Sequence, residues 1–331
     1  MSIRYFDLQG GTLAVEAHEP ALLDIYARVF DGVSRAAPPS PVCFRLRLMT
    51  GQPAAVPAGA RILDAGPLRD EGHCIAADLD GELVQIFPGI ASLRLSRAER
   101  TATVVVAPGE PQRVAMNLGM IALEAALRAS GQIPIHAAGL TLPDGRIVMI
   151  VGVSGAGKTT TALALCGAGF GLCSDDLMIC RTVGDTVTAW GLPRSLKVHR
   201  HTAAMLAWAE PLLAGEWSAE DEKALPLARL RAAGKVENGT PRQVAGICLL
   251  ARTENGRSSL APVGQTEMLA LTATDHVRTS AVGVLQAHSQ HLAALAAIIR
   301  RLPACRIVAG PDPSDLGPLL SEHFQALEAT S

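Results

Sequence analysis

The fold is predicted from the stretch Gly152-Val153-Ser154-Gly155-Ala156-Gly157-Lys158-Thr159, which fits the pattern G-x-x-x-x-G-K-[ST] at every fixed position. Residues 146–151 before it, which are apolar after Arg146, predict a buried strand, and residues 160–166 after it predict a helix. A strand, a glycine-rich turn and a helix in this order predict a cradle for an anion. Backbone N–H groups and the helix N-terminus would both face the bound anion.

The motif predicts a nucleoside triphosphate as the anion, because its lysine and its hydroxyl residue each have a defined role in phosphate binding. Lys158 is expected to reach the β- and γ-phosphates, and the Thr159 hydroxyl is expected to bind Mg²⁺. The expected cofactors are therefore ATP and Mg²⁺. A glycine turn that binds nothing is the alternative, and the matching strand and helix disfavour it. The residues expected to contact the nucleotide are Gly152, Ser154, Gly155, Ala156, Gly157, Lys158, Thr159 and Thr160.

Two adjacent carboxylates, Asp175 and Asp176, follow the next apolar segment. A strand predicted over residues 169–173 ends at this pair. After a glycine stretch of this type, such a strand end is where a Mg²⁺ ligand is needed. Asp175 and Asp176 are therefore candidate metal ligands together with Thr159. The alternative, in which the two side chains only cap a turn, stays open.

A histidine precedes the glycine stretch on a neighbouring segment. His136 lies in residues 133–140, which are predicted to form one strand paired directly with the strand before the glycines. A lone histidine beside an apolar strand is more often a structural residue than a functional one. The predicted position beside the phosphate cradle nevertheless makes His136 a candidate catalytic residue.

Basic residues farther along the chain are candidates for contacts with phosphate or with an acidic substrate. Arg194 and Lys197 are predicted to lie close together after a sheet edge, either as a phosphate clamp or as solvated cations. Lys235 belongs to the polar, glycine-bearing segment 234–242, which is the best candidate for a mobile loop near the active site. The sequence leaves open which of the three cations touches substrate.

Composition limits the partners that the chain is expected to have. Of the 331 residues, 49% are hydrophobic and only 3% are aromatic, and the formal net charge is −2, so we expect no nucleic-acid partner. No apolar run reaches about 18 residues, so we expect no membrane span. The N-terminal residues do not show the pattern of a signal peptide, and the seven cysteines include no C-x-x-C pair. These features predict reduced thiols and a cytoplasmic location.

The chain is predicted to be an α/β protein with two domains. Residues 1–114 show the alternating pattern of short strands and predict a smaller β-rich domain, in which Asp80-Gly81 marks a hairpin. Residues 115–331 are predicted to form a P-loop domain, a mixed sheet with flanking helices around the glycine stretch. The first domain is interpreted either as a scaffold or as a surface that recognises a substrate or partner.

The order of His136, a strand, the glycine stretch, a helix and Ser174-Asp175-Asp176 resembles the C-terminal catalytic domain of the HPr kinase/phosphorylase family. Asp175 and Asp176 follow Lys158 by 17 and 18 residues, a spacing similar to that of the family. Residues 191–194 match the family in looser form. The resemblance covers roughly residues 130–310 and implies an HPr-kinase-like P-loop core.

The resemblance also implies an activity. Members of the family phosphorylate a serine hydroxyl with ATP and Mg²⁺, and some relatives phosphorylate ribosomal peptides, including lasso-peptide precursors. Members often assemble into rings, so a homo-oligomer is possible here. Bifunctional members carry a glutamate-containing segment roughly where Arg194-Ser195-Leu196-Lys197 stands in this chain. That departure argues against phosphorylase activity and against HPr as the substrate.

Roles for individual residues follow from the same resemblance. It implies that Lys158 binds phosphate and that Asp175 accepts the proton of the attacking hydroxyl. It further implies that Asp176 helps to hold the metal and that His136 lies near the transferred phosphoryl group. The leading hypothesis is thus an ATP- and Mg²⁺-dependent phosphotransferase that acts on a hydroxyl, in the first place a serine of a peptide or small protein. A small-molecule kinase and a nucleotide-binding regulator without turnover stay open as alternatives.

Overall fold

A computed structural model describes residues 2–29, 33–67, 72–109, 112–153, 155–192, 194–237, 239–279 and 285–329. Contacts divide the chain into two compact units. Unit 1 consists of Met1–Ile133 and Ser280–His291, and unit 2 consists of Pro134–Thr279 and Leu292–Ser331. Among the described residues, no helix is both long enough and apolar enough to cross a membrane.

Unit 1 is a β-rich unit whose described strands join into one sheet, in the order β3-β1-β2-β4-β9-β8-β7-β6-β5. Its strands and helices are β1 (Ser2–Asp7), β2 (Thr12–Ala17), α1 (Pro20–Val29), β3 (Ser34–Arg35), β4 (Val42–Thr50), β5 (Arg61–Pro67), β6 (His73–Leu79), β7 (Glu82–Phe87), β8 (Ala91–Ser96), β9 (Thr101–Val106) and α2 (Gln112–Ala129). The predicted hairpin is confirmed, because β6 and β7 pair in antiparallel register. Asp80 and Gly81 between them both have positive φ, as a tight hairpin turn requires.

The end of unit 1 differs from the predicted domain boundary at residue 114. That position falls inside α2, whereas the contacts divide the chain after Ile133. The reason is hydrophobic burial, since α2 packs on β4, β8 and β9 and buries Leu118, Leu123 and Leu127 almost completely. Removing this apolar surface from water favours α2 as part of unit 1.

Unit 2 is an α/β unit whose described elements follow in chain order. They are β10 (Ile133–His136), β11 (Ala138–Thr141), β12 (Ile147–Val151), α3 (Lys158–Gly167), β13 (Gly171–Ser174), β14 (Leu177–Val183), β15 (Thr186–Gly191), β16 (Leu196–His199), α4 (Arg200–Met205), β17 (Glu222–Leu225), α5 (Leu227–Ala232), β18 (Arg242–Arg252), β19 (Ser259–Pro262), α6 (Gln265–Thr279), α7 (Leu285–Ile299), β20 (Ala304–Ala309) and α8 (Leu316–Ala329). Of these, β10 begins at Ile133, where the first segment of unit 1 ends, and the residues of α7 are divided between the two units.

The main sheet of unit 2 is mixed and has the order β10-β14-β15-β18-β12-β11-β13, with β20 beside β18 and β19 beside β20. Strand β12 is buried along its whole length. It pairs in parallel with β18 on one side and antiparallel with β11 on the other. Helices α3 and α8 contact each other, and their buried side chains join a core with Val148 and Ile150 of β12. The mixed sheet with flanking helices agrees with the predicted fold class.

One predicted strand is wrong in its pairing. Residues 133–140 form two strands, β10 and β11, rather than one, and only β11 pairs with β12. Strand β10, which ends at His136, lies beside β14 instead. The change of partner occurs at Ala137, whose backbone N–H donates to the carbonyl oxygen of Asp176. The hydrophobic pattern of residues 133–140 does not show that the run divides into two strands.

Candidate active site

The residues from Gly152 to Thr159, called the glycine loop below, connect β12 to α3. Gly155 and Gly157 have φ angles of 83° and 95°, a region that residues with a Cβ rarely adopt. Gly157 is also the residue that caps the start of α3. The loop therefore turns sharply at two glycines and delivers the chain directly into a helix N-terminus. Ser154 lies outside the described residues.

The start of α3 has the charge that an anion site needs. Its first turn carries no acidic residue, so the partial positive charge of the helix N-terminus is not cancelled there. The buried Lys158 ammonium donates a hydrogen bond of 2.6 Å to the carbonyl oxygen of Gly152, at the other end of the loop. A cation and a helix N-terminus are thereby placed on the same small loop, an arrangement suited to phosphate.

The sheet brings three strand ends to the edge at which the glycine loop lies. Strand β18 is parallel to β12. Strand β13 is antiparallel to β11, which is antiparallel to β12, so β13 runs in the same direction as β12. The carboxyl ends of these three strands therefore lie at one edge. This edge is where ligands bind in open α/β sheets.

The aspartate pair begins just after β13, at this edge. The Ser174 hydroxyl accepts backbone N–H bonds from Asp176 at 3.4 Å and Leu177 at 3.1 Å, and it donates to the carbonyl oxygen of Leu192 at 3.2 Å. Ser174 is fully buried. Its hydroxyl therefore closes the turn that presents both carboxylates, and it ties that turn to the end of β15.

Asp175 is directed toward the start of α3. The Thr159 hydroxyl donates to Oδ2 of Asp175 across 3.5 Å, which is the outer limit of a hydrogen bond. Burial, and then the negative charge of Asp176, raise the pKa of Asp175 to about 6. The carboxyl is therefore close to the point at which it gains or loses a proton near neutral pH.

Asp176 lies between two cationic or ionisable partners. His136 Nδ1 is 3.1 Å from Oδ1, and an Arg194 guanidinium nitrogen contacts Oδ2. Burial on its own would raise the pKa of Asp176. The hydrogen bond from His136 and the positive charge of Arg194 oppose burial and lower this pKa to about 2. The structure thus brings together four predicted residues, with Asp176 ionised between His136 and Arg194, and Asp175 facing the glycine loop.

Three other predicted residues have partners away from this cluster. The Thr160 hydroxyl is buried and lies 2.8 Å from the hydroxyl of Thr202 in α4. Lys197 lies on β16 and pairs with Glu222 at 3.0 Å, so it does not share a partner with Arg194. Lys235 donates to the carbonyl oxygen of Cys166 at the end of α3, at 2.7 Å. The predicted clamp of Arg194 with Lys197 is therefore not formed, and Lys235 stabilises the C-terminus of a helix.

Two residues of this edge were not given a role by the sequence. Ser174 stands in the quoted Ser-Asp-Asp motif, and its ability to close a turn is a signal that could have been used. Arg252 is the last residue of β18, and its guanidinium lies against Gly157 of the glycine loop. It could have been found by asking which charged residue ends a strand parallel to β12. That question needs the strand order, which the sequence does not state.

Comparisons with known proteins add a structural neighbour. No protein-family model matches the chain, and no curated protein matches it. Among solved structures, the Hpr(Ser) kinase/phosphatase from Coxiella burnetii is similar at 12% sequence identity, over 59% of this chain and 98% of that one, with a TM-score of 0.30. A TM-score this low does not establish a common family. The family resemblance therefore stays a prediction.

Proposed function

We propose that the protein is a P-loop kinase that uses ATP and Mg²⁺ to phosphorylate a hydroxyl, in the first place a serine of a peptide or small protein. One observation carries this proposal. Of two adjacent carboxylates, Asp175 contacts the first turn of a helix that begins with a buried lysine, and Asp176 contacts a histidine and an arginine. Phosphoryl transfer requires positioning and charge neutralisation more than covalent chemistry by the protein, and this edge supplies both.

The residues at the edge fit a magnesium ion that takes most of its ligands from phosphate and water. Among the described residues, no group of three or more His, Cys, Asp or Glu is arranged to hold a metal. Mg²⁺ does not need such a group, because in nucleotide sites it keeps several waters and binds one or two protein oxygens. We assign Thr159 as the direct ligand of the ion, and we assign Asp175 and Asp176 to contact it through water molecules. The bound ion would neutralise charge on the terminal phosphates.

The different pKa values of the two aspartates suit them to different roles in catalysis. A carboxylate with a pKa near 6 is a better general base at neutral pH than one with a pKa near 2. Asp175 is therefore assigned to accept the proton of the attacking hydroxyl. Asp176 stays ionised and holds His136 and Arg194, which are the groups proposed to face the transferred phosphoryl oxygens. Lys158 would leave Gly152 and bind the β- and γ-phosphates.

Recognition of the acceptor is proposed to involve unit 1. Its sheet carries an open apolar groove of about 640 Å³, lined by Gln52, Pro53, Val56, Ile75, Ile86 and Pro108 among others. An apolar groove is the kind of surface that can hold an apolar side chain of a peptide. A cytoplasmic location and a possible homo-oligomer remain part of the proposal.

A phosphate-transfer assay tests the function. The purified protein is incubated with ATP, Mg²⁺ and peptides encoded beside its gene, and the products are analysed by mass spectrometry. We expect one peptide to gain a phosphoryl group on a serine, and we expect Asp175→Asn to lose at least about a hundredfold in rate because the base is removed. Asp185→Asn, in the exposed turn between β14 and β15, is the matched control and should retain full activity.

The same assay separates the alternatives. Transfer to a metabolite in place of every peptide would identify a small-molecule kinase. Binding of ATP with no transfer to any acceptor would identify a regulator and contradict the proposed activity. Full turnover by Asp175→Asn would show that the base is another residue.

A further inference from the structure

Arg252 lies against the glycine loop in a defined orientation. A Cβ built on Gly157 would be 2.5 Å from Nη2, 2.7 Å from Cζ and 2.7 Å from Nε of Arg252. A point in the plane of the guanidinium, outside its edge, would be farther from Cζ than from the two nitrogens. The nearly equal distances therefore mean that the Cβ position of Gly157 lies to one side of the guanidinium plane, above the edge formed by Nη2 and Nε. The missing Cβ of Gly157 is what makes room for it.

Arg252 lies on the opposite flank of the glycine loop from the aspartate pair. Strand β18, which ends at Arg252, adjoins β12 on one side. Strands β11 and β13 adjoin β12 on the other side, and β13 leads to Asp175. The proposed function uses the flank of Thr159 and Asp175 for the terminal phosphates, so the flank of Arg252 is the side of the loop that those phosphates do not occupy.

The chemistry of Arg252 suits the aromatic part of the nucleotide. Gly157 lies on one side of the guanidinium plane, and Arg252 as a residue is exposed. Within the described part of the chain, no ion pair or side-chain hydrogen bond engages it, whereas Arg194 and Arg242 are both paired with carboxylates. An exposed planar cation with a glycine on one side of its plane is suited to stacking on an aromatic ring through the other side.

We propose that Arg252 stacks on the base of the bound nucleotide and so fixes the nucleoside end of ATP, on the flank of the glycine loop opposite to the aspartates. This inference rests on the proposed nucleotide-dependent function and assigns a binding residue to it. The guanidinium would be sandwiched between Gly157 and the base. Its contribution would depend on the planar shape of the group as well as on its charge.

Binding of two ligands tests this assignment. The dissociation constants of Mg²⁺·ATP and of Mg²⁺ with inorganic tripolyphosphate, which has no base, are measured by calorimetry for the wild type, Arg252→Ala and Arg252→Lys. Arg257→Ala, an exposed arginine in the segment after β18, is the control for loss of one positive charge. Thermal unfolding of each variant shows whether it is folded.

We expect Arg252→Ala to bind ATP roughly tenfold more weakly and tripolyphosphate within about twofold of the wild type. Arg252→Lys should lose most of the same ATP affinity because it lacks the planar face, and Arg257→Ala should behave as the wild type. In turnover the KM for ATP should rise while kcat is kept. Equal losses for both ligands, or full recovery by Arg252→Lys, would identify a phosphate contact and overturn the stacking role.

The outcomes also distinguish this inference from the proposed function. A wild type that binds both ligands, with Arg252→Ala unchanged, would overturn the role of Arg252 and leave the kinase assignment intact. A folded wild type that binds neither ligand would overturn the kinase assignment, and the role of Arg252 with it.

Discussion

Asp175 and Asp176 are neighbours in sequence, and their pKa values are displaced in opposite directions. Burial and the adjacent charge raise the pKa of Asp175 to about 6. For Asp176, the His136 hydrogen bond and the Arg194 charge overcome burial and lower the pKa to about 2. Pairs of groups whose environments separate their pKa values in this way are typical of acid–base sites. The sequence predicted the pair and left open which partners would distinguish its members.

The raised pKa of Asp175 predicts a stability effect with a definite pH dependence. Its ordinary value is 3.8 and its folded value is about 6, so ionisation is disfavoured in the folded state. The cost begins as pH rises above about 4 and is complete above about 6, reaching up to about 3 kcal/mol. Asp175→Asn should therefore raise the free energy of unfolding at about pH 8 and leave it nearly unchanged at about pH 4, as measured with urea.

Asp176→Asn is the matched control for that experiment and should act in the opposite direction. Its lowered pKa contributes stability above about pH 4 that is lost as pH falls toward 2. Replacing this carboxylate should reduce the free energy of unfolding at about pH 8. If both variants changed stability with the same sign, the opposite environments described for the two carboxylates would be refuted.

Arg194 and Lys197 are close in sequence but have different partners. Arg194 contacts Asp176, whereas the exposed Lys197 pairs with Glu222. Arg194→Ala should reduce kcat/KM by about tenfold or more, since it removes a charge from the proposed phosphoryl site. Lys197→Ala should stay within about twofold of the wild type. Steady-state kinetics measure kcat/KM for both variants. Equal losses of kcat/KM would support the predicted clamp formed by the two cations.

At the scale of elements, the parts that sequence predicted are those with local signals. The apolar run before the glycines and the helix after them are present as β12 and α3. The pairing of strands was harder to predict from the sequence, because it depends on hydrogen bonds between segments that are distant in the chain. The backbone hydrogen bond from Ala137 to Asp176 lies where the predicted strand divides into β10 and β11, and β10 pairs with β14. No residue in the apolar run 133–140 predicts this backbone hydrogen bond.

A close approach between β13 and β15 supports the aspartate turn. A Cβ on Gly191 would fall well inside contact distance of the Cys173 carbonyl oxygen, a backbone atom that cannot turn aside. Gly191→Ala should therefore displace the turn that begins at Ser174, with a loss of roughly 1–3 kcal/mol in the free energy of unfolding. It should also lower the transfer rate more than this loss of stability explains, as activity measured well below the unfolding temperature would show.

Gly264→Ala is the control for that substitution. A Cβ at Gly264 meets nothing within 4 Å, and its φ is not in the positive region. This variant should keep both stability and activity. Normal activity in a folded Gly191→Ala protein would show that the approach of β15 to Cys173 does not hold the aspartates in place.

At the scale of the whole molecule, the sequence predicted a β-rich first part and an α/β second part, and the contacts show a β-rich unit 1 and an α/β unit 2. The boundary at residue 114 was predicted from the start of a helical pattern. The apolar face of that helix, including Leu118 and Leu123, is buried on the sheet of unit 1. A hydrophobic face indicates that a helix is buried, and it does not indicate against which sheet. The assignment of α2 therefore required the structure.

Calorimetric titration of the protein with ATP, in the presence and absence of Mg²⁺, tests whether the glycine loop binds a nucleotide. We expect that the wild type binds ATP, that Mg²⁺ strengthens the binding, and that Lys158→Ala weakens it by at least about tenfold because a cation is lost from the phosphates. Lys197→Ala should bind as the wild type does. Absence of binding by the folded wild type, or equal affinity of the wild type and Lys158→Ala, would show that the glycine loop is not a nucleotide site.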